Sequence, residues 1–291
     1  MKVFITGVAG FLGSHIAEWF LKNGHEVAGN DNLIGGDMEN VPEGVTFTLC
    51  DICDLDAMTN AMKGAEVVYH CAAMTYEGVS VFAPATITNN IMTGSATVFS
   101  AAIRSGVRRI INCSSMARYG AGHAPFLENA ECFPQDPYGI AKKAAEDLLR
   151  NLGETHGFEW TTAIPHNIYG TRQRYVDPYR NVASIMANLM LQGRQPVIYG
   201  DGEQMRCFSY VDDSLACLVK MADSPKVLRE AINIGPDEET VTINTLFQRL
   251  SNITGFNGEP IYMPGRPQEV FHATCSADKA RLLLDYKTST T

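Results

Sequence analysis

A tyrosine and a lysine four residues apart are the pair in this sequence best suited to acid–base chemistry. Tyr138 and Lys142 belong to residues 136–142, where Pro137 suits the first turn of a helix and Asp136 can cap its free N–H groups. On a helix this spacing puts both side chains on one face, about one turn apart. Because a nearby ammonium favours the phenolate, we expect Lys142 to lower the pKa of Tyr138 towards the range of a general base.

A serine upstream of this pair can assist the same proton transfer. Ser115 closely follows a predicted buried strand over residues 108–113, and its hydroxyl can hydrogen-bond an oxygen on which charge develops. A tyrosine and a lysine at this spacing are more often ordinary residues of a surface helix. Ser115 and the glycine-rich opening of the chain favour the catalytic interpretation, in which Ser115, Tyr138 and Lys142 act together.

The chain opens with the elements of a dinucleotide site. A short apolar strand over residues 2–6 leads into Gly7, Gly10 and Gly13, and an amphipathic helix then extends to about residue 22. A glycine pattern indicates a dinucleotide site when it lies between a strand and a helix, as it does here. Glycines let the backbone approach a pyrophosphate, which binds at the positive end of the helix. The opening therefore predicts a bound dinucleotide.

Acidic residues at the ends of the next two strands indicate which dinucleotide binds. Asp31 follows a predicted strand over residues 25–30. An acid at that place accepts hydrogen bonds from the adenosine ribose hydroxyls and repels a 2′-phosphate, which favours NAD over NADP. Asp51 and Ile52 follow a third predicted strand, residues 46–49, and are placed to meet the adenine.

Strands and helices alternate along the first part of the chain. This alternation is typical of a Rossmann-like α/β fold, a doubly wound parallel sheet with helices on both faces. Two small residues after the fourth strand, Ala72 and Ala73, leave room for a cofactor at the carboxyl end of that strand. The further predicted strands cover residues 66–70, 108–113, 160–164 and 197–199, and the further helices cover residues 85–105, 138–156 and 182–192.

We expect two domains. Residues 1–165 would form the NAD-binding domain, and residues 166–291 would mainly form a smaller α/β substrate-binding domain. Part of residues 205–232 would return to pack on the first domain. A polar stretch over residues 171–181 is either a solvated loop or a substrate-side loop, since arginines at a crevice suit a diphosphate. Its arginines are Arg172, Arg174 and Arg180.

Composition and charge argue against several other classes of protein. The 291 residues carry a formal net charge of −9, which argues against a nucleic acid or an anionic membrane as partner. The sequence has no apolar run near ~20 residues and no signal peptide, so we expect a cytoplasmic protein without a membrane span. The eight cysteines and seven histidines show no disulfide or metal-binding spacing, so we expect reduced thiols and no metal site.

Taken together, these residues resemble the extended short-chain dehydrogenase/reductase family, in particular nucleotide-sugar epimerases and dehydratases of the UDP-galactose 4-epimerase type. The resemblance covers nearly the whole chain. Further markers are the Asp-Asn-Leu of residues 31–33, the Asn-Ile-Tyr-Gly of residues 167–170 and the Val-Asp-Asp of residues 211–213. The resemblance implies that NAD is bound by Gly7, Gly10, Phe11, Leu12, Gly13, Asp31, Asn32, Asp51, Ile52, Ala72, Ala73, Asn90, Tyr138 and Lys142. It implies a substrate site formed by Ser80, Ser115, Asn167, Arg206, Arg266 and Ala273.

The resemblance also implies a reaction, the NAD-dependent epimerisation of a UDP-hexose or UDP-N-acetylhexosamine at C4 through a transient 4-keto sugar. Tyr138 would take the proton of the 4-hydroxyl, Ser115 would stabilise charge on the same oxygen, and Lys142 would bind the nicotinamide ribose. Asn167, Arg206 and Arg266 would hold the diphosphate.

Other functions stay open at this point. Related dehydratases and decarboxylases carry an acid just after the catalytic hydroxyl, where this chain has Met116 and Ala117. A 4-ketoreductase or an epimerase at another carbon would use the same three residues. A non-catalytic NAD-binding protein would not need Ser115, Tyr138 and Lys142 together.

Several residues depart from the family pattern. Arg118 stands where an aliphatic residue is usual, Ile164 replaces a common arginine, and Thr93 occupies the place of a glycine that comes one residue later as Gly94. The chain also ends soon after a segment similar to the family's Leu-Gly-Tyr-x-Pro, where members usually continue with a last helix. The resemblance puts the gate beside the sugar's C2 substituent at Ala273, and such a small residue would admit an N-acetyl group.

The family also implies a homodimer. Its members pair two long helices with their copies as a four-helix bundle, and the corresponding helices here are those predicted over residues 85–105 and 138–156. Leu148, Leu149 and Leu152 on the second helix would serve either the core or this interface.

Overall fold

The computed structural model describes residues 1–177, 181–266 and 270–290. Its strands are β1 (Lys2–Thr6), β2 (Glu26–Asp31), β3 (Thr46–Leu49), β4 (Val67–His70), β5 (Arg109–Cys113), β6 (Glu159–Pro165), β7 (Ile168–Tyr169), β8 (Val197–Tyr199), β9 (Met205–Arg206), β10 (Ser209–Tyr210), β11 (Glu230–Ile234), β12 (Val241–Thr242), β13 (Ile261–Met263) and β14 (His272–Ala273). Its α-helices are α1 (Phe11–Lys22), α2 (Leu55–Ala61), α3 (Pro84–Thr88), α4 (Gly94–Arg104), α5 (Pro137–His156), α6 (Val182–Leu191), α7 (Val211–Lys220), α8 (Ile243–Thr254) and α9 (Asp278–Leu284).

The main sheet is parallel and doubly wound. Its strand order is β11-β6-β5-β4-β1-β2-β3, and every neighbouring pair within it is parallel. The chain runs outward from β1 in one direction and then restarts at β4 in the other. The carboxyl ends of β1 and β4 therefore flank the crevice where such sheets bind ligands. The predicted fold class is confirmed.

Both faces are buried over the central strands, which explains why β1 and β4 are apolar runs without alternation. Ile5 of β1 belongs to a cluster with Phe20 of α1 and Leu218 of α7 on one face. Phe4, the adjacent residue of β1, belongs to a cluster with Phe99 of α4 and Leu149 of α5 on the other. Successive residues of β1 thus anchor opposite helical layers.

The second half of the chain is divided between two places. Helix α7 packs on α1, and β11 extends the main sheet beside β6. Helices α6 and α8 form a separate small core around Met186, Ile198 and Phe247, together with the short sheets β12-β9-β14 and β13-β8. The domain division near residue 165 stays a prediction.

The helix predicted over residues 85–105 differs from the observed structure. A π-helical segment, Asn89–Thr93, separates α3 from α4, and such segments insert one extra residue into a helix. The insertion places Gly94, rather than Thr93, against Ile52. A Cβ atom on Gly94 would lie 2.4 Å from Ile52 Cδ1, so the Ile52 side chain packs closely against this glycine. The glycine noted in the sequence thus lies one residue after the place that the family pattern gives it.

None of the helices within the described residues is long and apolar enough to cross a membrane. The same residues contain no group of three or more His, Cys, Asp or Glu side chains able to hold a metal ion.

Candidate active site

The glycine turn is shaped by close backbone approaches. Gly7 has φ +71°, and a Cβ atom there would lie 2.9 Å from Ala72 Cα. A Cβ atom on Gly13 would lie 2.2 Å from the Gly7 carbonyl oxygen, so α1 can rest on the turn only without that side chain. The first N–H groups of α1, from Phe11 to Gly13, have no carbonyl acceptor within the helix. N–H groups of this kind, at the positive end of a helix, are suited to bind an anion.

Asp31 is held firmly at the end of β2. Its Oδ1 accepts a hydrogen bond from the Leu33 N–H at 2.8 Å, and its Oδ2 accepts one from the Ala9 N–H at 3.2 Å. Burial raises the pKa of Asp31, and these backbone hydrogen bonds oppose that rise. Asn32 Nδ2 donates to Asp51 Oδ2 at 2.7 Å. The carboxylate therefore lies fixed beside the glycine turn, where a ribose would bind.

The residues after β4 line the crevice between the two halves of the sheet. Asn90 Oδ1 accepts from the Met74 N–H at 2.8 Å, which ties the π-helical segment to this loop. Ala73 and Met74 pack against the apolar cluster that contains Tyr138. Glycine turn, fixed carboxylate and small residues fit an extended dinucleotide that ends near Tyr138.

The start of α5 carries the acid–base pair. Asp136 caps the helix, accepting from the Gly139 N–H at 2.8 Å. Tyr138 and Lys142 are only 5% and 6% exposed, and Lys142 Nζ lies 5.9 Å from the centre of the Tyr138 ring. The ammonium donates to the Cys113 carbonyl at the end of β5, at 2.9 Å. This hydrogen bond connects the catalytic helix to the sheet edge.

Ser115 reaches the same place on a short 3-10 turn, Met116–Arg118. Its hydroxyl accepts from the Ala117 N–H at 3.2 Å. A Cβ atom on Gly139 would lie 2.5 Å from the Ala117 carbonyl oxygen, so this turn packs directly on the first turn of α5. The structure thus brings together the predicted Ser115, Tyr138 and Lys142.

The charge at this edge comes from Lys142. Burial lowers its pKa, while the neighbouring Cys113, Cys71 and Glu146 oppose that fall. His70 is not a second cation, because burial and then the Lys142 charge lower its pKa to about 3.

A buried ion pair that the sequence analysis did not predict joins Arg118 to Glu146, which lies near Lys142. Arg118 Nη1 lies 3.1 Å from Glu146 Oε2, and each of these side chains is only 7% exposed. The hydroxyl of Ser114 donates to Glu146 Oε1. A signal was present, since Tyr138, Lys142 and Glu146 are spaced to share one helical face. Arg118, which stands where the family usually has an aliphatic residue, thus forms a buried ion pair with Glu146.

The predicted substrate residues come from separate segments of the chain. Arg206 on β9 lies opposite Ala273 on β14, and Arg206 Nη1 donates to the Met205 carbonyl at 2.9 Å. Asn167, at φ +30°, donates through Nδ2 to the Cys207 carbonyl at 2.9 Å. These contacts place Asn167, Arg206 and Ala273 in one neighbourhood.

Arg266 and Ser80 make a second set of contacts. The Arg266 guanidinium lies 4.2 Å from the centre of the Tyr199 ring. A Cβ atom on Gly78 would lie 3.3 Å from Arg266 Nη1, so Arg266 reaches the turn that precedes Ser80. Ser80 is fully buried, and its hydroxyl lies 2.8 Å from the Glu77 carbonyl and 3.4 Å from Asp136 Oδ1.

The arginines of the polar stretch contact the cofactor side of the molecule. Arg172 Nη2 forms an ion pair with Glu18 Oε2 on α1 at 2.7 Å. Arg174 Nη1 donates to the Ile34 carbonyl at 2.9 Å. Arg180 lies outside the described residues. These two contacts connect the described part of the stretch to α1 and to the loop after β2, while Tyr175 and Val176 are exposed.

A cleft of about 660 Å³ lies beside the three-stranded sheet. Its walls include residues 121–125, Gln135, Met205 and His272. Met205 and His272 are the strand neighbours of Arg206 and Ala273, and successive strand residues point to opposite faces. The cleft and the Arg206–Ala273 pair therefore occupy opposite faces of this small sheet.

Comparison with known proteins adds independent evidence. The model of the NAD-dependent epimerase/dehydratase family matches residues 3–235. A putative UDP-glucose 4-epimerase of Methanocaldococcus jannaschii is 34% identical, over 97% of this chain and 92% of its own.

Solved structures agree. The UDP-glucose 4-epimerase of Thermotoga maritima, with UDP-glucose, superposes with a TM-score of 0.95 at 32% identity, covering 100% of this chain and 94% of that one. The UDP-N-acetylglucosamine 4-epimerase of Methanobrevibacter ruminantium, in complex with UDP-N-acetylmuramic acid, superposes with a TM-score of 0.91 at 30% identity. The match covers 99% of this chain and 93% of that one.

Proposed function

Because this chain belongs to the NAD-dependent epimerase/dehydratase family, we propose that it is a nucleotide-sugar 4-epimerase. The substrates are UDP-hexoses or UDP-N-acetylhexosamines, interconverted at C4 through a transient 4-keto sugar. The observation that carries the proposal is the packing of the Ser115 turn on the first turn of α5, beside buried Tyr138 and Lys142. This arrangement can move a proton at a hydroxyl that faces a dinucleotide crevice.

The residues act by proton transfer and electrostatics. The chemistry that bound NAD supplies is removal of a hydride from C4 of the sugar and its return to the opposite face. Tyr138 takes the proton of the 4-hydroxyl and gives it back to the new alcohol. Ser115 hydrogen-bonds the same oxygen while it carries developing charge. Lys142 keeps Tyr138 acidic and holds the nicotinamide ribose. No outside oxidant is needed, since each proton and hydride removed is returned.

The dehydratase and decarboxylase alternatives are less well supported. Elimination or carboxylate chemistry needs an acid next to the catalytic hydroxyl, and the Ser115 turn offers Met116 and Ala117 there. A 4-ketoreductase would use the same residues but consume a reduced cofactor in each turnover. Product analysis separates these reactions.

Selection of NAD over NADP rests on Asp31 in this proposal. Its two oxygens are oriented by the Ala9 and Leu33 N–H groups, so the carboxylate is fixed before a ribose arrives. A fixed carboxylate accepts hydrogen bonds from both ribose hydroxyls and repels a 2′-phosphate.

Acceptance of N-acetylated sugars rests on Ala273. The residue is half-buried and lies opposite Arg206, which we propose binds the diphosphate with Asn167 and Arg266. A methyl group there leaves space for a C2 substituent. The similarity to the UDP-N-acetylglucosamine 4-epimerase of Methanobrevibacter ruminantium supports this assignment.

We further propose a cytoplasmic homodimer that pairs α4 and α5 with their copies. Ile140 on α5 is 54% exposed, whereas Leu149 lies in the core with Leu148 and Leu152 half-buried at its edge. An exposed apolar residue near the start of α5, with two half-buried leucines further along it, supports a helix interface. Light scattering at micromolar concentration tests it, and a monomer would contradict it.

The decisive experiment is a product analysis. Purified protein is incubated with UDP-glucose, UDP-galactose, UDP-N-acetylglucosamine and UDP-N-acetylgalactosamine in turn, and the products are followed by proton NMR. Formation of the C4 epimer without net change in NAD oxidation state is expected. A 4-keto-6-deoxy product, or no turnover of any sugar, would reject the proposed reaction.

A further inference from the structure

The buried ion pair beside the catalytic helix has a consequence for Lys142. Lys142 and Glu146 are separated by four residues on α5, a spacing at which lysine and glutamate usually pair. Within the part of the chain that the structure describes, no ion pair joins them. The Lys142 ammonium donates to the Cys113 carbonyl instead, and both oxygens of Glu146 are engaged from another direction.

The two partners of Glu146 lie on either side of the catalytic serine. Ser114 precedes Ser115 and donates to Oε1, while Arg118 ends the 3-10 turn that Ser115 begins and faces Oε2. Ser114 is itself fixed to the sheet, its N–H donating to the Ala163 carbonyl at 2.8 Å. Glu146 is therefore drawn towards the Ser115 turn and away from its neighbour on the helix.

Arg118 acts on Glu146 by charge. Its Nη1 and Nε have no hydrogen-bond partner among the described residues, so the 3.1 Å contact is an ion pair without good hydrogen-bond geometry. Burial raises the pKa of Glu146, and Arg118 followed by Ser114 opposes that rise. The guanidinium thus favours an ionised carboxylate inside the protein.

We propose that Arg118 is a positioning residue, whose guanidinium holds the Glu146 carboxylate away from Lys142 and so leaves the Lys142 ammonium free to act on Tyr138 and the cofactor ribose. The inference rests on the proposed role of Tyr138 as the base. It gives a function to a residue that replaces the aliphatic side chain expected from the resemblance.

Other ionisable groups face this cluster and must be separated from it. Those that interact with Lys142 are His70 at the end of β4, Cys71 after it and Cys113 on β5. Those near Arg118 and Glu146 are Tyr119, Cys132, Lys143 and Asp147. Asp136 caps the helix beside Tyr138. A measurement specific to Tyr138 is therefore needed, rather than a pH profile alone.

The test is an absorbance titration of tyrosinate near 295 nm on the protein purified with its cofactor. Subtracting the curve of Tyr138→Phe isolates Tyr138, since thiols and carboxylates do not absorb there. In Arg118→Leu the freed Glu146 should pair with Lys142, so the Tyr138 midpoint should rise by about 0.5 to 1 pH unit. In the double variant Arg118→Leu/Glu146→Gln the competitor is absent, and the midpoint should return towards that of the parent protein.

Kinetics give a second readout. Arg118→Leu should lower kcat about 3- to 10-fold on the acid side, with recovery at higher pH and little change in KM, because only the fraction of phenolate has changed. Arg118→Lys keeps the charge and should keep the parent titration. Equal loss of kcat at every pH, with an unmoved Tyr138 midpoint, would show a merely structural role and overturn the proposal.

A matched control lies at the other edge of the sheet. The Arg109 side chain is 2% exposed, and its Nε lies 2.7 Å from Glu159 Oε2. These two residues begin β5 and β6, so their ion pair lies at the opposite edge of the sheet from the active site. Glu159→Gln should lower thermal stability without moving the Tyr138 midpoint. If Arg118→Leu does not fold, Arg118→Gln replaces it, and its midpoint should rise because the charge that holds Glu146 is lost. An unmoved midpoint there also rejects the proposal.

Failure of this inference is distinguishable from failure of the proposed function. The titration needs no sugar, so it reports on Arg118 even if every UDP-sugar proves inert. Conversely, epimerase activity with an unmoved midpoint in Arg118→Leu would leave the reaction in place and reject only the role of Arg118.

Discussion

The cofactor side and the substrate side of the crevice are built by different means. Around the glycine turn, backbone atoms approach each other so closely that a side chain would not fit. A Cβ atom on Gly13, for example, would lie 2.2 Å from the Gly7 carbonyl oxygen. On the substrate side, long side chains reach across from distant segments, as Arg266 does over Tyr199 at 4.2 Å. Backbone contacts admit one ligand shape, whereas side-chain contacts can change without altering the fold.

Because of this difference, we expect substitutions on the two sides to have different effects on activity. A change on the cofactor side should affect every sugar equally, because all sugars use the same NAD. A change on the substrate side should alter the ratio between sugars and leave NAD affinity unchanged. The residues of α5 and the Ser115 turn lie between the two sides and should affect turnover of all substrates.

The largest effect is expected from Tyr138→Phe. Removing the proposed base should lower kcat on the order of 10³-fold for every UDP-sugar. The buried ring stays, so the fold and the NAD content of the purified protein should not change. Steady-state kinetics and cofactor release on denaturation measure the two properties. Retention of most activity would refute the assignment of the base.

Ser115→Ala should come next. Loss of a hydroxyl donor to an oxygen with developing charge lowers rates on the order of 10²-fold. The loss should be the same for plain and N-acetylated sugars, because the 4-hydroxyl is common to both. Cys113→Ser, which keeps the carbonyl that Lys142 uses, serves as the neighbouring control. A loss confined to one sugar would place Ser115 on the substrate side instead.

The same contrast explains how far the sequence alone could go. Strands β1 to β5 were predicted within a residue or two, and those buried on both faces, such as β1 and β4, are continuous apolar runs. The π-helical segment Asn89–Thr93 was missed, because the local apolar pattern of residues 85–105 does not mark it. The spacing of Glu146 from Lys142 was visible in the sequence, but its ion pair was not. Its partner Arg118 comes near it only when the Ser115 turn packs on α5.

On the cofactor side, Asp31→Ala should weaken NAD by about 1–3 kcal/mol through loss of charge-assisted hydrogen bonds to the ribose. Discrimination against NADP should fall with it, since the repulsion of a 2′-phosphate is also lost. Calorimetric titration with both dinucleotides measures this. The ratio of kcat/KM between two UDP-sugars at saturating NAD should stay constant, and a changed ratio would break the proposed separation of the two sides.

The smallest effect is expected on the substrate side, at Ala273. Ala273→Tyr should lower kcat/KM for a UDP-N-acetylhexosamine about tenfold more than for the plain UDP-hexose, because the new ring fills the space for the C2 substituent. NAD affinity should not change. The measurement is a pair of kcat/KM values for each sugar type, in the parent protein and the variant.

The residue before Ala273 provides a matched control for this prediction. His272 precedes Ala273 on β14 and lines the cleft of about 660 Å³, whereas Ala273 points to the face it shares with Arg206. If the sugar lies beside Arg206, His272→Tyr should leave selectivity as it is. If His272→Tyr changes selectivity and Ala273→Tyr does not, the sugar binds in the cleft, and the gate lies on the opposite face of the sheet from the one proposed.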